Sequence, residues 1–498
     1  MSTPTAKGDR VKNENDGKLE WVDIDLSDPA EIERKGRMLV GHTFRDVLDL
    51  GVAPKGAVLE YNSKQYKGGM GSLIEERWYG YPVNSDSDPD FPEAGVELKT
   101  TCYDIKKDGD LSAGERLVLT MIPYDREVAL DYEASHLHHK CHTLMLIYYH
   151  RDREKDSYDQ EISYAALFVP PEEDLAVIRE DYRKIAQLVQ EGRADELSES
   201  MTSYLGACTK GSTAAKSRVD QYYAPGKKAK KRAFCLKRSY MDYVLHHYLM
   251  NEAEADSIAG GAADFEARVA QVVDSYAGKT ARELCAELGI AYTGNKAQWT
   301  TIAYRLLGAR GDRAAEFEKA GISLRTIRLE EGGGLKESIS LNTFEFMDVV
   351  EQTWEDSDLR SYLESTRFLF VVFQKRGDGE VLKGCVFWSM PMTDLDGGVR
   401  SCWEQMRNII TRGVRLVRGP RGITNDLPKI AEGIVHVRPH AAKAAYRLED
   451  GSEIGDVQRD ASKLPDGRAM TRQSFWLSAR YVRAVIEAGL PSGEDGQP

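Results

Sequence analysis

The feature that most constrains this chain is an internal repeat. Short blocks in the first half return in the second, in the same order and at a nearly constant offset. Thr43–Gly51 is matched by Thr280–Gly289, Ile74–Gly80 by Ile302–Gly308, and Asp90–Thr100 by Glu316–Thr326. Near the end, Arg438–Lys443 resembles the region around Lys210, and Phe475–Tyr481 resembles Phe234–Tyr240. Glycines, apolar positions and the threonine survive the repetition, which is what a retained fold requires. At 498 residues the chain is also too long for one ordinary core. Two domains of one fold are expected, at 19–250 and 262–490. The acidic, small-residue-rich stretch Asn251–Asp264 forms the boundary, and residues 1–18 and 491–498 are frayed polar ends.

Chemistry is concentrated in the first copy. Val96–Tyr103 predicts a strand entered from a turn at Gly95, so Glu97 and Lys99 project from one face. Asp90 lies just upstream, before Phe91 and Pro92, where a second strand would bring its carboxylate alongside Glu97. Two carboxylates suit Mg²⁺, which takes few protein ligands, and the Leu98 carbonyl between the two active side chains is the expected third. A neighbouring lysine can orient water or offset charge growing on a phosphate. Acid–spacer–lysine alone is common: Asp16-Gly17-Lys18, Glu33-Arg34-Lys35 and Asp104-Ile105-Lys106 match it as ordinary solvated charges. Context separates Asp90, Glu97 and Lys99 from these. Lys67–Gly80 reads as a glycine-rich entry into a helix, and Glu75, beside Leu73 and Ile74, faces inward, where a carboxylate needs a cation or a metal-bound water. The second copy has Ala303, Ser323 and Arg325 in place of Glu75, Glu97 and Lys99.

Composition excludes more than it selects. No apolar run spans a bilayer, and the polar start is no signal peptide. Seven cysteines stand singly, so structural zinc is not expected and a reducing cytoplasm is. A formal charge of −13 runs against a DNA partner, yet Lys227–Arg232 followed by Lys237 and Arg238 makes a basic segment able to face phosphates. An amphipathic helix is expected between Pro170 and Ser198, with Leu175, Ile178, Ile185, Leu188 and Val189 inward. His136, His138 and His139 would put 136 and 138 together on a strand, but no second ligand pair follows. Gly278-Lys279-Thr280 mimics a P-loop end, but Val273 stands where that motif needs glycine.

Several ordered blocks resemble the MutH family of DNA-cutting enzymes, which holds the mismatch-repair nickase and type II restriction endonucleases that cut at 5′-GATC. They are Lys67–Glu75, Asp90–Thr100, Ser135–Lys140 leading into Leu144–Tyr149, Tyr204–Lys216 and Phe234–Tyr240. The resemblance implies an α/β restriction-endonuclease-like core, a mixed sheet flanked by helices, present as an active N-terminal and a degenerate C-terminal copy. It implies Mg²⁺ as cofactor and double-stranded DNA as partner, with two GATC sites bound at once and a dimer on DNA as one assembly. Glu75 corresponds to the family's helix glutamate. Lys140 corresponds to an additional active-site lysine, which the second copy replaces by Glu364. Lys210, Lys237 and Arg238 fall in the DNA-contacting region, and Arg438 and His440 are the second copy's candidates for the same role. The chain departs from the mismatch-repair member at Cys235, where that member has a tyrosine near the adenine methyl group, and at Cys208, where it has an arginine. Tolerance of adenine methylation is therefore expected. A strand-nicking repair enzyme and a DNA-binding protein on a nuclease scaffold stay open as alternatives; another class of hydrolase would need a nucleophile pair or metal cluster that is not found.

Overall fold

A computed structural model describes residues 18–50, 69–81, 87–106, 109–210, 218–258, 264–420, 422–429 and 433–490. Lys67, Gly68, the stretch Ala214–Lys216, the nominal boundary at 262 and most of the two polar ends lie outside the described residues. The chain divides into two compact units. The first is Met1–Asp264 with Ala315–Gly321, and the second is Phe265–Ala314 with Ile322–Pro498. No helix among the described residues is long and apolar enough to cross a membrane.

The first unit carries β1 (Val96–Ile105), β2 (Leu111–Ala113), β3 (Leu117–Met121), β4 (Thr143–His150), β5 (Ile162–Phe168), β6 (Leu205–Thr209), β7 (Arg218–Gln221), β8 (Ala224–Lys230) and β9 (Arg232–Leu236). Its main sheet has the order β2-β1-β4-β5, with β1 and β4 parallel and the flanking pairs antiparallel. β4 is central, and Leu144–Tyr148 is fully buried, as the unbroken apolar run of a covered parallel strand should be. Val96 and Leu98 pack with Ile32, Phe44, Leu73, Ile74, Trp78, Met145 and Ile147. That alternation leaves Glu97 and Lys99 on the other face. A smaller antiparallel sheet has the order β3-β9-β6, and β7 and β8 form a hairpin.

The second unit carries β10 (Ile322–Leu329), β11 (Ile339–Phe344), β12 (Arg367–Arg376) and β13 (Gly379–Ser389). β10 and β12 are parallel, and β12 and β13 antiparallel. The registers of the two parallel pairs correspond: Val96 faces Thr143 as Ile322 faces Arg367, and Glu97 faces Leu144 as Ser323 faces Phe368. The second unit also has an antiparallel sheet ordered β11, Gln473–Leu477, Val435–Pro439, the same plan as β3-β9-β6. Both units thus combine a mixed sheet with a separate antiparallel one.

The expected amphipathic helix is present as Glu172–Gln190, with Val177, Ile178, Tyr182, Ile185 and Val189 buried. Its apolar spacing did not reveal that Asp174 and Asp181 are buried on it too. Asp174 accepts from Tyr240 Oη at 2.9 Å and Tyr248 Oη at 2.7 Å, and pairs with Lys319 Nζ at 2.7 Å. Lys319 belongs to the short helix Ala315–Ala320, the segment from later in the chain that is part of the first unit. Removing one member of a buried ion pair leaves the other desolvated and uncompensated. Lys319→Ala should therefore lower the stability of the first unit by about 3 kcal/mol, read from urea unfolding of the full chain.

Candidate active site

The residues expected to act together meet at the start of β1. Asp90 does not sit on a second strand, as the sequence suggested. It stands at the head of a tight turn closed by Phe91 N to Val96 O at 2.9 Å and Val96 N to Phe91 O at 3.2 Å. Gly95 makes the turn with φ +65°, and a Cβ there would approach His142 Cε1 to 3.2 Å. The turn folds Asp90 back on the strand. Leu98 N donates to Asp90 Oδ2 at 2.9 Å, and Asp90 N donates to Glu97 Oε2 at 3.1 Å. These reciprocal bonds fix the two carboxylates against each other.

Two lysines complete the cluster. Lys99 Nζ lies 2.5 Å from Glu97 Oε1, and Lys140 Nζ lies 3.4 Å from Glu97 Oε2 while donating to the Asp88 carbonyl at 2.7 Å. Lys140 comes from the helix His136–Cys141, capped by Ser135 and leading straight into β4. That helix corrects the strand reading of the histidines. His136 Nε2 meets the Ser87 carbonyl at 3.0 Å and His139 Nε2 meets Asp88 Oδ1 at 2.8 Å, so both anchor the loop leading to Asp90. Glu75 lies on a π-helical turn, Ile74–Tyr79, that continues the helix Gly69–Leu73 and ends at Gly80 with φ +81°. Such turns recur at functional sites because the extra residue redirects a side chain.

The charges oppose one another. Burial, then repulsion from Glu97, pushes the Asp90 carboxyl up to about 6. Burial, then the charge of Asp90, pushes Glu75 up to about 7. Burial pulls the Lys99 ammonium down, but Glu97, Cys141 and Asp90 together outweigh it and the pKa ends above the usual lysine value. Among the described residues no three or more His, Cys, Asp or Glu side chains are grouped as metal ligands. An ion here would rest on Asp90, Glu97, a backbone carbonyl and water, a donor set that fits Mg²⁺ and not zinc. Carboxylates pushed up by burial and then by one another are ones that a bound divalent cation would return to their charged form.

In the second unit the same places hold different chemistry. Ser323 and Arg325 occupy the register positions of Glu97 and Lys99. Glu364 precedes β12 as Lys140 precedes β4, and it is buried against Arg360 at 2.6 Å. Glu316, aligned with Asp90, accepts from Ser257 Oγ at 2.6 Å and Ile258 N at 3.0 Å within the first unit.

The expected DNA-contacting residues separate. Lys210 is exposed beyond β6, its N–H bonded to the Lys231 carbonyl at 2.9 Å. Arg238 is exposed but donates to the Ala113 carbonyl at 2.6 Å. Lys237 is not on the surface. It is buried, its ammonium bonded to the Thr202 carbonyl, beside Asp181, which receives the N–H groups of Ser203, Tyr204 and Leu205. Arg232, from the expected basic segment, is likewise buried and donates to Ala207 O at 2.6 Å. In the second unit Arg438 and His440 are exposed. Pairing places Gly206 opposite Cys235 and His436 opposite Trp476, so Cys208 corresponds to Arg438 and Cys235 to Trp476. The Arg438 guanidinium lies 4.9 Å from the Trp476 ring centre, and His440 N bonds the Arg472 carbonyl at 2.8 Å as Lys210 N bonds Lys231. Trp476 was not singled out from sequence, and its register partner Cys235 gave no aromatic signal to follow.

A family model described as the DNA mismatch repair enzyme MutH matches residues 79–181 and 307–391, segments that include β1 with β4 and β10 with β12. The type II restriction enzyme Sau3AI of Staphylococcus aureus is 33% identical over 472 residues, covering 86% of this chain and 95% of that protein. The DNA mismatch repair protein MutH of Shigella boydii is 27% identical over 235 residues, covering 45% of this chain and 97% of the relative. The MutH of Vibrio campbellii is 24% identical over 232 residues, with 45% and 96% covered.

The raised carboxyls make a pH test with a fixed sign. Glu75 titrates near 4.5 when unfolded and near 7 when folded, so its ionisation costs nothing below 4.5 and its full penalty above 7. In metal-free protein Glu75→Gln should raise the melting temperature at pH 8, with a gain of roughly 1–3 kcal/mol, and show a smaller gain at pH 5.5. Equal gains at both pH values would remove the electrostatic account of this site.

Proposed function

The chain belongs to the MutH family of nucleases as a homologue of type II restriction endonucleases, and on that premise we propose that it hydrolyses double-stranded DNA at 5′-GATC, 5′ of the G, in a Mg²⁺-dependent reaction. The observation that carries the catalytic part is the cluster of Asp90, Glu97, Lys99, Lys140 and Glu75 at the start of β1. The GATC preference rests on the sequence resemblance.

Asp90, Glu97 and the Leu98 carbonyl would hold Mg²⁺, which when bound polarises a phosphate and makes a water more acidic. Lys99 stays protonated, so it donates N–H to the attacking water or to a phosphate oxygen and offsets charge as the phosphorus becomes five-coordinate. Lys140 adds a second positive charge on the other oxygen of Glu97. Glu75, on the turn beside these carboxylates, is the group that would accept a proton from the attacking water. In-line attack then leaves a 5′-phosphate and a 3′-hydroxyl.

The second unit serves as a catalytically silent copy that binds DNA and stimulates the first. The matching strand registers support common descent, while Ala303, Ser323 and Arg325 stand where Glu75, Glu97 and Lys99 act. Arg438, Trp476 and His440 form its contact surface, with the arginine stacked on the indole and free to meet phosphate or a base edge. In the first unit Lys210 and Arg238 are the contacts retained from the expected set.

Incubation of plasmid with the full chain and Mg²⁺, followed by sequencing of the ends, tests the activity, site and position together. Lys99→Ala should lower cleavage by at least about a thousandfold while leaving duplex binding in Ca²⁺ within about threefold. A parallel loss of binding would remove Lys99 from the chemistry. For the second unit, two-site plasmids should be cut about tenfold faster than one-site plasmids because a tethered second site has a high effective concentration. Arg438→Ala should erase that difference and leave the one-site rate unchanged. Equal rates for both plasmids with the unaltered protein would leave the second unit without a stimulatory role.

A further inference from the structure

One hydroxyl beside the carboxylate cluster has no evident purpose in the fold. Tyr81 Oη is shut away from solvent, and among the described residues no hydrogen-bond partner reaches it. A buried phenol in that state is costly, and phenylalanine would fill the same space without the cost. The residue is tied to the site by its backbone and its ring. Tyr81 N donates to the Glu75 carbonyl at 3.2 Å, just after the left-handed Gly80, and the ring meets the edge of Phe91 at 5.3 Å, next to Asp90. Beyond burial, the charges of Asp90, Glu75 and Glu97, and then Tyr79, act on the phenol and hold it in its protonated, donating form.

The second unit provides an internal control. Gly308 keeps the left-handed conformation of Gly80, at φ +86° against +81°, and the next residue is Ala309, fully buried. The tyrosine is absent from the unit that also lacks Glu75, Glu97 and Lys99. A hydroxyl needed for packing would have no reason to disappear with the acids.

We propose that Tyr81 is a positioning residue whose O–H donates to the oxygen of the water that attacks the phosphate, holding it against Glu75. The acceptor would be a site-bound water, since no described group bonds the phenol although Tyr81 is held beside Glu75 by its backbone and beside Asp90 by its ring contact with Phe91. Tyr81 donates one hydrogen bond and keeps its proton; the water's proton leaves toward Glu75. The inference rests on the proposed nuclease reaction and adds a residue to it.

Tyr81→Phe in the full chain removes one oxygen and keeps the ring. Expected are a 10- to 100-fold fall in kcat, an unchanged KM for duplex, unchanged duplex affinity in Ca²⁺, and a metal-free melting temperature equal to or above that of the unaltered protein. Because both groups hold one water, Glu75→Gln with Tyr81→Phe should be no slower than Glu75→Gln alone. A kcat within twofold of the unaltered protein, a lowered melting temperature, or fully multiplicative effects in the double variant would overturn the role of Tyr81. Absence of cleavage by the unaltered chain would instead overturn the nuclease reading on which it rests.

Discussion

β1 and β4 run parallel, and a parallel pair forms only if the chain leaves the end of one strand and returns to the start of the next. The return path here ends in the helix His136–Cys141, which delivers Lys140 to the beginning of β4 and so to the beginning of β1. The turn before β1 delivers Asp90 to the same end. The placing of residues 90, 97, 99 and 140 thus follows from one strand pairing, and the separate turn Ile74–Tyr79 adds Glu75. The second unit repeats the pairing in the same register with Ala303 and Ser323 where Glu75 and Glu97 stand, so the pairing does not depend on those two acids.

The acids in fact work against folding. Glu75 and Asp90 are half-buried, repel each other and Glu97, and titrate far above ordinary carboxylates. Natural sequences tolerate such a penalty where function requires it. In the second unit, where Glu364 meets Arg360 and Ser323 replaces Glu97, the like-charge cluster is gone.

Much of this was legible in the sequence, for reasons that are physical. Period-two alternation placed Glu97 and Lys99 on one face, and the glycine of the turn marked where β1 begins. The repeated blocks anticipated matching strands in two units. Other features depended on contacts far apart in sequence. Charge alone could not distinguish exposed Lys210 from buried Lys237, whose ammonium is taken up by the Thr202 carbonyl near Asp181. Three histidines within four residues read equally as strand or helix until the Ser135 cap decides. The Arg438–Trp476 stack depends on register across two strands that are distant in sequence, so neither residue announces the other.

The segment Ala315–Gly321 has an evolutionary consequence. The chain passes from the first unit to the second, back, and out again, because Lys319 supplies the counterion for a carboxylate buried deep in the first. Two units interleaved in this way are not independent of each other along the chain. Any later gene break between them would strand Asp174 without its cation. Interleaving of this kind ties the first unit's stability to a stretch of chain that lies beyond the start of the second.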